Sequence, residues 1–483
     1  MKNSKILIFI IFIVILPIIW GALYLKGKVK QAQTSNSHSS NIDRQGLVQA
    51  FEGSYPKTVE ASSDVVETDL IASEGFFKAI DEKELKGFSY NGQIPGPEIR
   101  LILGQAVKIN FTNDLPQPTT IHFHGIRVPN AMDGVPGVTQ EPIQSGESFT
   151  YEFTPKDAGT FWFHPHVRGS EQLEKGLYGI IIVEDPEEIG FSQDLVWVVD
   201  DWRLDETGQI DPNFNTMHDL MHDGRWGSIV TVNGKTTETL NLNPGQVARL
   251  RIVNVSNARD YRLNFGRLTA EAIAVDGMRV SEVFNANGFD LAPGNRIDVK
   301  LSASSHLSGQ TVTISDIFGR ISVPMAQVLV GEPQVEENVI VKTADIFPDW
   351  SAAVSMNPDY TFNLNAGRGM MHRGQRRPID WMINNEMYPE ITPTTLHHGQ
   401  FYKLRIKNES ARLHPMHLHG QFFQVLAIDG QPANQKYWRD TVLVYPNQTV
   451  DIGLVPTDEG DWAYHCHSQE HAEAGMMTLI KVD

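Results

Sequence analysis

The chain of 483 residues contains a single cysteine, Cys466. One thiol excludes any intramolecular disulfide, so the fold must hold by its cores, and this length suits two to four domains. The shortage says little about compartment, because large cores need no covalent staples. Basic residues are also in deficit, and the formal charge is −18. That argues against nucleic acid as a partner, because phosphate backbones call for basic patches. An acidic surface suits cationic substrates, but it serves equally well as a solubility device. Long apolar segments of 3.6-residue period are scarce, whereas Gly, Pro, Val, Ile, Thr and Phe are plentiful. This predicts mostly antiparallel β structure.

The N-terminus is the exception. Ile6 to Tyr24 is almost unbroken apolar sequence, with Lys2 and Lys5 before it and Lys26, Lys28 and Lys30 after it. It approaches the ~20 residues needed to span a bilayer. No convincing small-x-small cleavage site follows it directly, no twin-Arg pair precedes it, and no nearby cysteine offers lipid attachment. Residues 1–30 are therefore read as a signal-anchor, with a cleaved signal peptide as the alternative. The body is placed on the periplasmic or extracytoplasmic face of the membrane. The Ser-rich run that follows reads as a flexible tether, residues 31–47.

The rest of the chain repeats itself three times. The first copy runs from Asn91-Gly92 through Gly104-Gln105 to His122-Phe123-His124-Gly125. The second runs from Asn233-Gly234 through Gly245-Gln246 to Tyr261-Arg262-Leu263-Asn264. The third runs from Asn384-Asn385 through Gly399-Gln400 to His417-Leu418-His419-Gly420. Turn, strand, Gly-Gln turn, alternating strand, Asn-bearing turn and strand together form a β-sandwich signature. A later piece recurs too: Gly159 to His164-Pro165-His166 parallels Gly460 to His465-Cys466-His467. The middle copy has no His-x-His at either place. The expected domains are 48–185, 186–338 and 339–483, with Gly367 to Arg377 read as a connector.

Ten of the seventeen histidines fall in four clusters. These are His122/His124, His164/His166, His414/His417/His419, and His465/His467/His471 around Cys466. A lone His-x-His is usually an accident of a strand surface, but four of them at equivalent places in the outer repeats are not. Spacing i, i+2 puts both imidazoles of a pair on one strand face, about 6–7 Å apart. Each pair can serve one multinuclear site or two neighbouring coppers, and eight histidines from two repeats suit a three-copper cluster clamped between the first and third domains. Cys466 with histidines and Met476 is the donor set of a blue-copper site. On a strand, His465 and His467 face away from Cys466, so one short segment serves two metal sites. Structural zinc is disfavoured, because it prefers Cys-rich tetrahedra.

The motifs HFHG, FHPH, HPMHLHG and HCHSQEHAEAGM resemble the four copper-binding motifs of the multicopper oxidases, a family that includes laccases, cuprous oxidases and ferroxidases. The resemblance covers the chain from about residue 48 to its end. It implies an all-β fold of three consecutive cupredoxin-like Greek-key β-sandwich domains after the N-terminal hydrophobic anchor. It also implies four copper ions. A type 1 copper would be held by His414, Cys466, His471 and Met476, and a type 2 copper by His122 and His417. Two type 3 coppers would share His124, His164, His166, His419, His465 and His467. The implied activity takes single electrons from a small reducing substrate, Cu(I), Fe(II) or a phenol, and reduces O2 to two waters. Cys466 would carry the electrons between the sites.

Four protons are needed as well. Asp133 matches a family position implicated in proton supply, although a turn residue before Gly134 is the plain alternative. Glu473 is a second candidate acid, displaced by one position from where some cuprous oxidases carry one. Glu470 reads either as a cation contact or as a solvated charge. Met217-His218 and Met221-His222 lie at i, i+4, which offers soft donors to Cu(I) or simply packs a loop. Met370-Met371-His372 is a weaker example of the same. A copper-sequestering protein and a copper-free structural relative are the competing classes, and the complete ligand set disfavours both. The protein is expected to be a monomer.

Overall fold

The three Asn turns close in the same way. At Asn91-Gly92, Asn233-Gly234 and Asn384-Asn385 both residues have positive φ, 54° and 77°, 53° and 75°, 56° and 62°. That is the backbone of a two-residue type I′ turn, which Asn and Gly adopt at least steric cost. In each copy the Asn side-chain oxygen accepts from a main-chain N–H on an adjacent strand: Ile71 at 2.7 Å, Val198 at 2.8 Å and Asn363 at 2.8 Å. A second repeated residue, Asn113, Asn254 or Asn408, donates across its sandwich to the carbonyl of Ile143, Leu291 or Val444. Each of these also accepts the N–H two residues on, which is an Asx turn. The sequence repeat is thus a repeat of hydrogen bonds.

The structure is a computed structural model. It describes residues 43–54, 62, 64–185, 190–335, 337, 339, 341–344, 347–369, 371–372, 375–376 and 378–483. The hydrophobic segment and most of the tether lie outside the described residues. Among the described residues, no helix is long and apolar enough to cross a membrane. Three β-sandwiches follow one another. In the first, one sheet orders Lys83–Tyr90, Val65–Ile80, Ala106–Asp114 and Ser148–Phe153; the other orders Glu98–Ile102, Gly179–Glu184, Gly159–His164 and His122–His124. The second and third each join a six-stranded to a five-stranded sheet. The antiparallel expectation needs one amendment. Each sandwich has two parallel pairings at corresponding places, such as Val65↔Ala106, Gln193↔Ala248 and Tyr360↔Leu404. These are the long returns of a Greek key.

Four α-helices lie among the described residues: α1 (Arg44–Ser54), α2 (Gly169–Glu174), α3 (Met217–Met221) and α4 (Gln469–Glu473). The stretch read as tether up to residue 47 ends inside α1. Leu47 and Phe51 are buried, Phe51 packs on Trp350 and Trp438, and Arg44 pairs with Asp359 at 2.6 Å. The apolar i, i+4 pair gives this helix a face to bury. The segment read as a connector, Gly367 to Arg377, is not one. Tyr360–Arg368 pairs antiparallel with Ile379–Ile383, and Met371–His372 pairs with Gln375–Arg376 beyond them. Among the described residues it carries a short two-stranded ladder of its own beyond the longer hairpin.

Cys466, Met416, Met476, Trp462 and Tyr464 share the core of the third sandwich, so the lone thiol is shielded from water. Elsewhere the core holds a carboxyl with a measurable signature. Burial, and then the neighbouring Asp201 carboxylate, push Asp200 up from 3.8 to about 8, with the Tyr178 hydroxyl donating to it at 2.7 Å. A folded value above the unfolded one means that the folded chain binds the extra proton. This contribution to stability is therefore complete below about pH 4 and is lost as the pH rises through about 8. Asp200→Asn is expected to flatten the fall in Tm between those limits, as read by thermal melts of the metal-free chain across the range.

Candidate metal centre

Strand register brings the histidine pairs together. His122 lies opposite His164 in the first sandwich. His417 lies opposite His465 and Met416 opposite Cys466 in the third. Ring centroids within the pairs are 5.8 Å apart for His122/His124, 6.5 Å for His164/His166, 4.8 Å for His417/His419 and 5.8 Å for His465/His467. The pairs do not act as pairs, however. The donor atoms sort into His122, His124 and His417; His124, His164 and His467; and His166, His419 and His465, each group within 4.8 Å. The last two groups are separate triads in which each His-x-His sends its members to different places. The spacing left open whether a pair serves one site or two neighbouring ones, and the donor groups favour the second, although His122 and His124 also meet in the first group.

The second site is equally distinct. Cys466 Sγ lies 3.6 Å from His414 Nδ1 and 3.8 Å from His471 Nδ1, and the two nitrogens are 3.2 Å apart. The opposite ring nitrogens are held by the protein: His414 Nε2 by Ser410 Oγ at 2.8 Å, and His471 Nε2 by the carbonyl of His222 at 2.7 Å. Met476 is fully buried in the same core, and its carbonyl accepts from the Cys466 N–H at 3.0 Å. Burial pushes the Cys466 thiol up. His465 Nδ1 donates to the Cys466 carbonyl at 2.8 Å, so the two sites share one strand and one hydrogen bond.

The donor set can be tested for a metal. Burial first, then neighbouring imidazoles, holds His124, His164, His414, His419, His465 and His467 well below the usual imidazole range. His166 falls to about 3 and His471 to about 4. Neutral imidazoles are what a metal requires. Buried ring nitrogens of His122 (Nε2), His124 (Nδ1), His164 (Nε2), His166 (Nε2), His417 (Nε2) and His467 (both) have no hydrogen-bond partner. Each such atom costs ~1–3 kcal/mol if nothing meets it. So many converging on one place make sense only around cations, and imidazole with thiolate suits copper.

Asp133 sits against this cluster, almost fully buried. Its Oδ2 accepts from His419 Nδ1 at 2.9 Å, its Oδ1 lies 3.2 Å from His122 Nδ1, and its carbonyl accepts from the same nitrogen at 2.9 Å. Gly134 makes the turn possible. Its φ is +79°, and a Cβ there would lie 1.9 Å from the Ile121 carbonyl. Glu470 is not a solvated charge: it is fully buried and accepts from Ser170 Oγ at 2.8 Å and from the Arg225 N–H at 3.0 Å. Glu473 accepts from the Ser170 N–H and from Asn215 Nδ2.

Sequence reasoning missed Asp440. It is buried, lies 3.2 Å from His124 Nε2, and its carbonyl accepts from His417 Nδ1 at 3.1 Å. Burial alone would raise its carboxyl, but Arg296 and the bond to His417 outweigh that and hold it below the usual range. Its only signal was an acid just before a buried strand, one of 58 acidic residues.

A thiolate–imidazole site beside an eight-imidazole cluster, on three β-sandwiches, defines a protein for copper redox chemistry. Family profiles described as multicopper oxidase match residues 75–188, 194–314 and 361–483. The chain is 31% identical over 429 residues to the multicopper oxidase MmcO of Mycobacterium tuberculosis, covering 81% of this chain and 82% of that protein. The crystal structure of a multi-copper oxidase from Pseudomonas thermotolerans superposes with a TM-score of 0.77 at 31% identity, over 87% of this chain and all of that one. A Campylobacter jejuni multicopper oxidase, described as a metallo-oxidase, gives 0.74 at 26%, over 89% and 94%. The chain belongs to the multicopper oxidase family. It is a copper-dependent oxidoreductase, and its sandwiches are cupredoxin-like.

Proposed function

We propose that the protein oxidises a soft metal ion, Cu(I) before Fe(II) and both before phenols, one electron at a time, and passes four electrons to O2. The observation that carries this is the contact between His471 and the carbonyl of His222. It sets α3 on the thiolate site and with it four soft donors. Met217 is 67% exposed and Met221 42% exposed, so neither packs into a groove. His218 and His222 are exposed beside them with rings stacked at 4.3 Å. A capping box holds the short helix, Thr216 Oγ1 accepting from the Asp219 N–H, and Trp381 Nε1 donates to the Leu220 carbonyl at 2.8 Å. The tip at Met371 and His372 falls where side chains are outside the described residues.

In this reading His414, Cys466, His471 and Met476 hold a type 1 copper, and His122 and His417 a type 2 copper. The triads His124/His164/His467 and His166/His419/His465 hold the type 3 pair, making four coppers. Bound copper supplies the one-electron redox chemistry and the reduction of O2 to water. The chain supplies the rest. Cys466 links the sites through its peptide bonds to His465 and His467 and through the hydrogen bond from His465 Nδ1. Asp133 takes and returns a proton at its Oδ2, which faces His419 Nδ1. Burial excludes water from both sites. The hydrophobic segment Ile6 to Tyr24 would hold a monomeric body outside the cytoplasm.

O2 uptake by the copper-loaded chain tests this, with Cu(I), Fe(II) and a methoxyphenol compared with and without free copper. Metal ions should give the higher kcat/KM. Met217→Leu with Met221→Leu should raise KM for Cu(I) about tenfold, equivalent to ~1.4 kcal/mol of binding, and affect the phenol less. Good phenol turnover without free copper, together with an unchanged Cu(I) KM in the variant, would identify a laccase instead.

A further inference from the structure

The middle sandwich has no His-x-His, yet it forms a wall of the eight-imidazole cluster. Its Pro293-Gly294-Asn295-Arg296 turn reaches between the outer sandwiches. A Cβ on Gly294 would lie 2.7 Å from His124 Cε1 and 3.0 Å from His467 Cδ2. Asn295 Nδ2 donates to the Thr441 carbonyl at 3.0 Å. Arg296 is fully buried and meets Asp440 with both arms, Nη1 to Oδ1 at 3.0 Å and Nη2 to Oδ2 at 2.7 Å. Its Nε donates to the Thr160 carbonyl at 3.2 Å, so one guanidinium touches all three sandwiches. Gly125 leaves room for it, because a Cβ there would lie 2.2 Å from Arg296 Nη2.

His124 is oriented differently from its neighbours. His122, His164 and His417 each spend Nδ1 on a main-chain carbonyl, which leaves Nε2 unpartnered. His124 does the reverse: Nε2 faces Asp440 Oδ1 at 3.2 Å and Nδ1 is unpartnered. Asp440 receives Arg296 on both oxygens and Thr441 Oγ1 at 2.8 Å on Oδ1, so it acts as acceptor only and the His124 proton must sit on Nε2. We propose that Arg296 is a positioning residue for the eight-imidazole centre: its fork fixes Asp440, which selects the Nε2–H tautomer of His124 and turns Nδ1 of that ring to the metal. This rests on the ligand reading above. A planar fork does this where a lysine cannot, because only two parallel donors fix both carboxylate oxygens. Partners of ligand histidines commonly set the tautomer, and losing one typically weakens metal binding about 10- to 100-fold.

The test uses the full chain with 15N-labelled histidine, first metal-free. His124 should appear as the Nε2–H tautomer. In Arg296→Gln and in Asp440→Asn it should become a mixture while His164 stays unchanged. After loading, a chelator should strip copper from the eight-imidazole centre about 10- to 100-fold more readily, with the blue absorption of the Cys466 site retained. Arg296→Lys should fall between. An unchanged His124 tautomer in both variants, or copper lost equally from both sites in step with a lower Tm, would overturn the proposal. If Arg296→Gln does not fold, the near-isosteric Asp440→Asn decides alone. If the unvaried chain takes no copper at this centre while the tautomer still shifts, the functional reading fails and the positioning role stands.

Discussion

Cys466→Ser is expected to leave a folded chain that consumes no O2 with any donor. Serine nearly matches cysteine in volume, so the core around Trp462 and Met476 can close over it. The cost is a buried hydroxyl, ~1–3 kcal/mol if it finds no partner. The chemistry is lost for a different reason. His414 and His471 converge with the sulfur on one point, and a hydroxyl neither ionises there nor shares electrons with copper as a thiolate does. Copper analysis should fall by one ion per chain, with the blue absorption gone and the eight-imidazole centre still filled. Uptake above that of the copper-free protein would refute the idea that Cys466 joins the two sites.

Asp133→Asn should lower kcat by about 10²- to 10⁴-fold, the usual worth of a positioned proton-transfer group. Both carboxylate oxygens lie within 3.2 Å of an imidazole nitrogen, so the amide keeps the shape and loses the capacity to take a proton. Reduction of the Cys466 site by the donor, followed by stopped flow under anaerobic conditions, should proceed at its normal rate. The deficit should show only when O2 is admitted. A variant that is slow in both halves would make Asp133 a structural turn residue.

The sequence carried the fold because its repeats are written in turn chemistry. Asn-Gly and Asn-Asn dictate a backbone that few residues adopt, and three copies, each followed by a Gly-Gln turn and an alternating strand, leave little choice of architecture. The side chains that converge in the two clusters were legible for a similar reason, since one cysteine and ten clustered histidines have no bland explanation. Asp440 and Arg296 were not legible. A buried ion pair contributed by two sandwiches has no local pattern, and neither residue stands near its partner in the chain. The hairpin at Gly367 to Arg377 was hidden by its composition, because its Gly and Arg residues resemble a solvated connector while the strands that define it lie on either side.

The contact of His471 with the His222 carbonyl spans 249 residues of sequence. In the proposed reading, α3 and the His414/Cys466/His471 group it meets therefore belong to separate stretches of the chain. In that reading the exposed donors Met217, His218, Met221 and His222 can vary while the groups around Cys466 stay fixed. A graft of residues 216–222 from a relative should carry its donor preference along, provided it keeps the buried Leu220 side chain, the Leu220 carbonyl that meets Trp381 and the His222 carbonyl beneath His471. Under the proposed reading, donor choice is tied to the Cys466 core through one side chain and two backbone atoms.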